Sequence, residues 1–393
     1  SWSSAELVPT ERYRSRMRIG ATTGTGVDPT GVADRFALLR PVQCVQPYGR
    51  GNINQTHLVT CGAAAGAPRR YLLQRLNGAV FAEPDVVMAN LDLVTAHLRR
   101  RLEAAGEGDL DRRVLRVVPT REGRPSWRDA TGAVWRCLDF VERTHSSLSL
   151  ATQAQVFEAG RAFGELHRLL VDLDPALLGE TIPEFHDPEA RLAGLERVLR
   201  ADPAGRSAEA SEEIGFVLGH RSLAEAGRRL VGSDVPRRVA HNDAKVDNLL
   251  FDDDTGRVVC ITDLDTLMPG SILWDVGDLL RSATCRAPED ERDLRLVAMD
   301  LDLARALVAG YRQEAAGWIT RAEVTLLSLS GAVVVYEQAV RFLTDYLAGD
   351  VYFRTYRPGQ NRDRCRAQIR LLASMLEQRA ALDAVVAEAW RSG

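Results

Sequence analysis

A single lysine marks the segment that most restricts how this chain can fold. Lys245 is the only lysine in 393 residues, and the other 49 basic residues are arginine. Arginine can replace lysine where only a solvated positive charge is needed, but not where a compact ammonium on a thin stem must fit. The lysine lies in the octet 241–248, which reads H-x-D-x-K-x-x-N. Eight positions are about 2% of the chain, so chance placement is a poor explanation and the octet is predicted to be a functional loop.

A hairpin is predicted directly after the octet. Asn248 opens a short strand at 249–251, the turn Asp-Asp-Asp-Thr-Gly follows at 252–256, and a second strand returns antiparallel over 257–262. Asp263, at the end of the returning strand, is therefore expected beside Asn248. Carboxylate and amide oxygens are ligands that Mg²⁺ prefers, so Asn248 and Asp263 are the predicted metal ligands.

This arrangement has the parts that phosphoryl transfer requires. Asp243 is expected to orient and deprotonate an attacking hydroxyl, and Lys245 to reach the γ-phosphoryl group as negative charge builds there. His241 is expected to hold the loop by hydrogen bonds. The competing interpretation is an Asp-rich hairpin with solvated charges, which the spacing and the lone lysine together disfavour.

The residue pattern divides the chain into two lobes. The first part predicts strands and one helix with an apolar stripe from Val87 to Leu102, and the strands are expected at 44–48, 56–60, 70–76, 114–118 and 133–140. The second part is mainly helical, with helices expected at 156–170, 186–200, 209–231, 291–316, 321–347 and 361–390. The predicted fold class is α+β: a small antiparallel-sheet N-lobe with one helix over 31–140 and a larger, mainly helical C-lobe over 141–393. Residues 1–30 are predicted to be a flexible N-terminal tail.

Composition excludes several other classes. A net charge of −4 and a pI of about 6.0 argue against nucleic-acid binding. No run approaches the ~18 apolar residues of a membrane span, and the first thirty residues lack the apolar core of a signal peptide. The six cysteines show no C-x-x-C or metal-like grouping and are expected to stay reduced. We expect a cytoplasmic protein, and the oligomeric state is left open.

The octet and the following Asp-Leu-Asp at 263–265 resemble the aminoglycoside phosphotransferase and choline kinase superfamily. The resemblance is closer to the N-acetylhexosamine 1-kinase branch, and it covers about 35–378. It runs through the stretches 48–54, 71–77, 180–186, 263–270 and 341–347. The resemblance implies a two-lobed protein-kinase-like fold, ATP and Mg²⁺ as cofactors, and phosphorylation of the anomeric hydroxyl of a GlcNAc- or GalNAc-type sugar.

The nucleotide is expected against the N-lobe. Gly49 and Gly51 lie in a loop between two strands whose backbone N–H groups can cover phosphates, and Phe140 and Val141 belong to the predicted hinge at 140–142. No lysine is available on the third strand for the α- and β-phosphates. Arg75 is the predicted replacement, with Gln74 as the other candidate, because strand alternation lets only one of them face the cleft.

The sugar is expected against the C-lobe. Asn54, Asp243 and Asp265 are candidate contacts, and in the hexosamine branch Arg341 and Tyr352 match residues that contact the sugar. Arginine can donate to ring hydroxyls or an acetamido oxygen, and tyrosine can stack and donate once. The region 341–370 carries seven arginines against three aspartates, which disfavours a polycationic substrate. The competing interpretation of this region is a solvated helix face.

Three residues are assigned structural roles. Phe185 and His186 are interpreted as packing residues, and Asp275 as structural support for the octet.

Within the enzyme class, the alternative acceptors are an aminoglycoside, another aminosugar or a cyclitol. Outside it, the alternative is a nucleotide-binding pseudokinase that acts as an interaction module, which the complete set of Asp243, Asn248 and Asp263 disfavours.

Overall fold

The computed structural model describes residues 27–49, 53–62, 67–147 and 152–391. The predicted α+β class is confirmed: a small antiparallel sheet with the predicted long helix is followed by a larger helical lobe, and two short helices that were not predicted also lie in the small lobe. The predicted tail at 1–30 and Gly51 fall wholly or largely outside the described residues.

The N-lobe sheet has the order β1-β2-β3-β6-β4, with β5 paired to β6, and all of these pairs are antiparallel. Its elements are α1 (Pro29–Ala33), β1 (Val42–Pro47), β2 (Gln55–Cys61), β3 (Arg69–Arg75), α2 (Pro84–Ala104), α3 (Leu110–Arg113), β4 (Val117–Val118), β5 (Trp127–Arg128) and β6 (Val134–Asp139). The strand predicted at 114–118 is wrong for its first half, because helix α3 ends only at Arg113 and β4 has two residues. The short strand β5 was missed.

The two faces of this sheet meet different neighbours. Tyr71, Leu73 and Trp135 belong to a small buried cluster with α1, whereas Leu138 belongs to the main core that continues into the C-lobe. Successive side chains alternate between faces, and Gln74 is paired in register with Arg136. Gln74 and Arg136 therefore face the C-lobe.

Arg75 lies on the opposite face. It is the register partner of Trp135, which packs in the small cluster away from the cleft. The expectation that Arg75 faces the cleft is wrong. Because side chains on β3 alternate between the two faces of the sheet, Gln74 is the residue of the two that faces the cleft.

The C-lobe is helical except for short strand pairs around the octet. Its helices are α4 (Gln153–Leu170), α5 (Pro188–Ala201), α6 (Ser211–Gly219), α7 (Ser222–Ala226), α8 (Ile272–Ala283), α9 (Leu301–Ala315), α10 (Arg321–Ala348), α11 (Gln360–Glu377) and α12 (Arg379–Arg391). Its strands are β7 (Thr144–His145), β8 (Arg238–Ala240), β9 (Leu249–Asp252), β10 (Val258–Ile261) and β11 (Met268–Gly270). Strand β9 pairs with β10 and β7, and β8 pairs with β11.

Three predicted helices are shorter or broken. The helix expected at 291–316 begins only at Leu301, because the Asp300 side chain accepts from the backbone N–H groups of Asp302 and Leu303 and caps it there. The helix expected at 209–231 is divided into α6, α7 and a 3₁₀ turn, and the one at 361–390 is divided at Gln378.

Helix α10 is the central element of the C-lobe. It begins with a capping box between Thr320 and Glu323 and ends at Gly349, whose φ of +98° suits glycine. Among the described residues it is the one helix long and apolar enough to cross a membrane, but 89% of its most apolar window is buried inside the protein. That burial is typical of a core helix, and both the α8 and α11 helices pack against it.

Candidate active site

Asp275 of α8 holds the backbone of the octet by hydrogen bonds. This buried carboxylate accepts the backbone N–H groups of His241 (2.8 Å) and Asn242 (2.6 Å) and the Nε2–H of His167 (2.8 Å). Burial works to raise the pKa of Asp275, but these donors outweigh it and lower the pKa. The interpretation of Asp275 as support for the loop agrees with this geometry.

His241 fixes the loop to the neighbouring hairpin. Its side chain is buried, Nε2 donates to the Thr262 carbonyl at 3.0 Å, and Nδ1 accepts the backbone N–H of Asp243 at 3.3 Å. Both ring nitrogens are therefore engaged in positioning, as expected for a structural histidine.

Asp243 and Lys245 form an ion pair at the surface of the cleft. The Lys245 Nζ lies 2.9 Å from Asp243 Oδ2, and both side chains are about one-quarter to one-third exposed. Burial works to raise the pKa of Asp243, but the Lys245 ammonium outweighs it and lowers the pKa to about 2. Asp243 is thus an ionised acceptor at neutral pH, suited to orient a hydroxyl.

Asn248 and Asp263 meet across the β9–β10 hairpin. The Thr262 N–H donates to the Asn248 carbonyl at 2.8 Å, which places Asp263 one residue beyond this contact. The Asn248 amide nitrogen donates to the Asp243 carbonyl at 2.8 Å, so its amide oxygen is left as a ligand atom. Asp263 itself adopts the left-handed conformation, with φ +58°.

The donor set fits a hard divalent cation. Burial, together with repulsion from Asp265 and Asp243, raises the pKa of Asp263 to about 7, and the charges of Lys245 and Arg136 offset this only in part. No group of three or more His, Cys, Asp or Glu residues in the described part of the chain is arranged to hold a metal. One carboxylate and one amide oxygen leave most ligand positions for water and phosphate oxygens, as Mg²⁺ usually requires.

A second aspartate joins the two lobes. Asp265 Oδ2 accepts the Asn54 amide N–H at 2.7 Å, and Asn54 Oδ1 accepts the Asn77 backbone N–H at 3.0 Å. Asp265 Oδ1 lies 2.5 Å from Nη1 of Arg136. The two candidate sugar contacts Asn54 and Asp265 are thus brought together, but each is already engaged with the other. Sequence reasoning missed Arg136, although an arginine within the apolar strand Val-Trp-Arg-Cys-Leu was a signal.

The predicted nucleotide side is partly described. Gly49 has φ +77°, a conformation that favours glycine, at the start of the loop. Phe140 meets the Tyr48 ring edge to face at 5.8 Å and lies 4.2 Å below the guanidinium of Arg70. Val141 is buried beside it, so the hinge residues form an apolar wall at the end of β6.

The predicted sugar side is an aromatic box around Arg341. The guanidinium lies over the rings of Phe185 (5.4 Å), Tyr352 (5.8 Å) and Phe353 (5.4 Å). The structure thus brings Arg341 and Tyr352 together, and it also places Phe185, interpreted as packing, against the same guanidinium. Other arginines of the region 341–370 are paired with acids, as the solvated-face interpretation expects: Arg357 with Asp290 and Asp363, and Arg362 and Arg366 with Glu213.

Two buried acids near this box, Asp345 and Glu337, were not predicted from the sequence. Asp345 accepts the backbone N–H groups of Val351, Tyr352 and Phe353 at 2.7–2.9 Å and so fixes the loop that carries Tyr352. A helix aspartate seven residues before Tyr352 gave no distinguishing signal in the sequence.

Glu337, one turn before Arg341, contacts the octet through His186. The imidazole donates from Nδ1 to Glu337 at 2.7 Å and from Nε2 to the Asn242 carbonyl at 2.9 Å, and it stacks on Trp274. Because both ring nitrogens donate, His186 is an imidazolium. It links the Arg341 helix to the octet.

Comparison with known proteins identifies relatives of this arrangement. A family model described as "Phosphotransferase enzyme family" matches residues 45–316, which is more than half of the chain. Solved structures that resemble the fold include three at low sequence identity. A microcompartment-associated aminopropanol kinase is 17% identical, with a TM-score of 0.57 over 90% of this chain and 98% of that one.

The other two structures contain bound ligands. Amicoumacin kinase in complex with AMP-PNP, Ca²⁺ and Ami is 15% identical, with a TM-score of 0.54 over 92% of this chain and 96% of that one. Spectinomycin phosphotransferase in complex with ADP and spectinomycin is 12% identical, with a TM-score of 0.51 over 88% and 93%. These likenesses show a shared fold of the kinase-like type.

Proposed function

The chain belongs to the phosphotransferase enzyme family, and we propose that within it the protein is an ATP- and Mg²⁺-dependent kinase for the anomeric hydroxyl of an N-acetylhexosamine. It is a small-molecule phosphotransferase with an alcohol group as acceptor. The observation that carries the proposal is the convergence of Asp243, Asn248 and Asp263 around one loop and one hairpin.

Asp243 is the acceptor-side residue in this scheme. Its carboxylate, ionised because of Lys245, accepts a hydrogen bond from the attacking hydroxyl and receives its proton as the new O–P bond forms. Its low pKa favours orientation of the hydroxyl over early removal of the proton. An anomeric hydroxyl is more acidic than an ordinary one, which suits a weak base.

Lys245 and the metal ligands act on the phosphoryl side. Lys245 stabilises charge that builds on the transferred γ-phosphoryl group, and Asn248 and Asp263 would hold the cation. Bound Mg²⁺ would supply neutralisation of phosphate charge, and the γ-phosphoryl group passes from ATP to the sugar oxygen, with ADP as the leaving group.

The composition of the acceptor side supports a neutral sugar. Arg341, Arg191 and the His186 imidazolium lie together, with Glu337 as the buried acid among them. Guanidinium N–H groups can donate to ring hydroxyls or an acetamido oxygen, and the rings of Tyr352 and Phe185 offer apolar faces. A polycation would meet repulsion there.

A second class of acceptor is the alternative to an N-acetylhexosamine. The structural neighbours are named as acting on or binding aminopropanol, amicoumacin and spectinomycin, so another amino-alcohol, aminosugar or cyclitol is the alternative. A pseudokinase that binds nucleotide without turnover is the alternative outside the enzyme class.

One assay separates these possibilities. Free sugars and amino alcohols are incubated with ATP and Mg²⁺, ADP release is measured, and the product of the best acceptor is examined by proton NMR. We expect N-acetylhexosamines to give the highest kcat/KM and a new phosphorus coupling on the anomeric proton. Coupling at another carbon would favour the alternative acceptors, and nucleotide binding without any product would favour the pseudokinase.

The Asp243→Asn variant tests the assigned residue. Removing a positioned general base costs on the order of 10²–10⁴ in rate, while ADP should still bind. Turnover within a few-fold of wild type would contradict the role of Asp243.

A further inference from the structure

The strand that faces the cleft beside β3 carries a buried cation with no assigned task. Arg136 on β6 is 2% exposed and lies opposite Gln74 in the β3–β6 ladder. Gln74 Oε1 accepts its Nε–H at 2.9 Å, and Gln74 in turn donates to Thr56 on β2 at 3.1 Å. Three strands thus hold this guanidinium in a fixed orientation.

The guanidinium is aimed at the carboxylates of the C-lobe. Its Nη1 lies 2.5 Å from Asp265 Oδ1, a buried ion pair in which neither atom makes an aligned hydrogen bond to a described residue. A buried ion pair without aligned hydrogen bonds offsets only part of the cost of desolvating its two charges, so a ligand with better-aligned oxygens can compete for the guanidinium. The Asp265 side chain is also held by Asn54, directly before β2, and Asp265 follows the predicted metal ligand Asp263 by two residues, so Arg136 lies close to the predicted metal site.

We propose that Arg136 binds the α- and β-phosphates of the nucleotide, the task left open by the absence of a strand lysine. A guanidinium presents paired N–H groups that match two phosphate oxygens. In this proposal the Arg136 guanidinium turns from Asp265 to the phosphates when nucleotide enters, and Asp265 Oδ1 becomes free to accept a hydrogen bond from substrate.

The other candidates on the sheet do not fit. Arg75 projects from the opposite face, as its pairing with Trp135 shows. Arg70 shares the Arg136 face but forms two contacts with Glu142 and covers the Phe140 ring at the hinge. Four residues along a strand separate it from Gln74 by about 13 Å, which places Arg70 at the opposite end of the cleft.

The simpler interpretation is that Arg136 only neutralises Asp265 and fastens the lobes together. The two interpretations differ in whether the loss of Arg136 weakens the binding of a ligand only when that ligand carries phosphates. They are separated by comparing Mg²⁺–ADP with adenosine, which has no phosphate, and by removing Asp265 at the same time.

The experiment is calorimetric titration of the full chain without sugar. For Arg136→Met we expect ADP affinity to fall roughly ten- to hundredfold, the range for a charge-assisted hydrogen bond, with adenosine affinity unchanged. The double variant Arg136→Met with Asp265→Asn removes the carboxylate that Arg136 would otherwise leave unpaired, and the ADP loss should persist in it. Arg128→Met, an exposed arginine on the adjacent strand β5, is the matched control and should bind both ligands as wild type does.

Three results would overturn the proposal. Recovery of ADP affinity in the double variant would mean that Arg136 only neutralises Asp265. Equal losses for ADP and adenosine would mean general damage to the cleft, and an undiminished ADP affinity in Arg136→Met would exclude the contact. The inference rests on the nucleotide use proposed above but not on the sugar, so a wrong sugar assignment would leave these titrations unaffected.

Discussion

The support that Asp275 gives the octet can be tested by one isosteric change. In Asp275→Asn the amide nitrogen replaces one carboxylate oxygen and faces a donor, so at least one of the two loop N–H groups loses its partner. The remaining bonds, including that from His167, become neutral and weaker. An unsatisfied buried donor and the loss of charge assistance together amount to about 3–5 kcal/mol of lost stability.

Two measurements follow from this estimate. At about 2–4 °C per kcal/mol for a lobe of this size, the thermal midpoint should fall by roughly 6–20 °C. Because the loop carries Asp243, and a displacement of 1 Å can cost 10²-fold in rate, kcat at saturating substrates should fall roughly 10²-fold while ADP still binds.

Asp345→Asn is the matched comparison, because this buried aspartate also holds a loop by its backbone N–H groups. It should lower the thermal midpoint similarly, but it should raise the KM for the acceptor, since its loop carries Tyr352. If Asp275→Asn kept kcat within twofold of wild type, or if its midpoint moved by less than about 2 °C, the reasoning would be refuted.

Two further predictions concern stability. The pKa of His186 is raised, because the Glu337 carboxylate and its hydrogen bond outweigh the lowering effect of burial, so this contribution is complete below the ordinary pKa of 6.5 and is lost as pH rises through the folded-state pKa. Between pH 6.5 and 9 the thermal midpoint of wild type should therefore fall more steeply than that of His186→Gln, and parallel curves would contradict the assignment. In Gly160→Ala the new Cβ would lie 2.2 Å from the Leu307 carbonyl oxygen where α4 and α9 touch, which should cost roughly 3 kcal/mol in unfolding experiments. Gly219→Ala meets nothing within 4 Å and serves as its control; equal midpoints in the two variants would disprove the close-contact argument.

The sequence predicted the elements that follow from local pattern. The strand alternation, the stripe of α2 and the Asp-Asp-Asp-Thr-Gly turn are local signals, and the β9–β10 hairpin then necessarily brings Asp263 beside Asn248. The fold class followed from the order of these elements. The ends of helices were harder to predict from the sequence, because the start of α9 depends on the Asp300 side chain accepting two particular backbone N–H groups.

The parts that failed depend on long-range packing. The small cluster around Trp135 determines which face of β3 meets the C-lobe, and no residue near Arg75 in the sequence indicates that face. Arg136 and Glu337 acquire their significance only from Asp265 and His186, which lie 129 and 151 positions away in the chain. The roles assigned to the individual site residues stay predictions.

The lone lysine also makes the cleft chemically addressable. A reagent that acylates primary amines finds one side chain in the whole chain, and that side chain is paired with Asp243. Labelling would therefore leave the arginine-rich exterior untouched. Because a terminal α-amino group reacts as well, the modification is measured on the peptide that contains Lys245, where the mass shift would register the opening of the ion pair with Asp243.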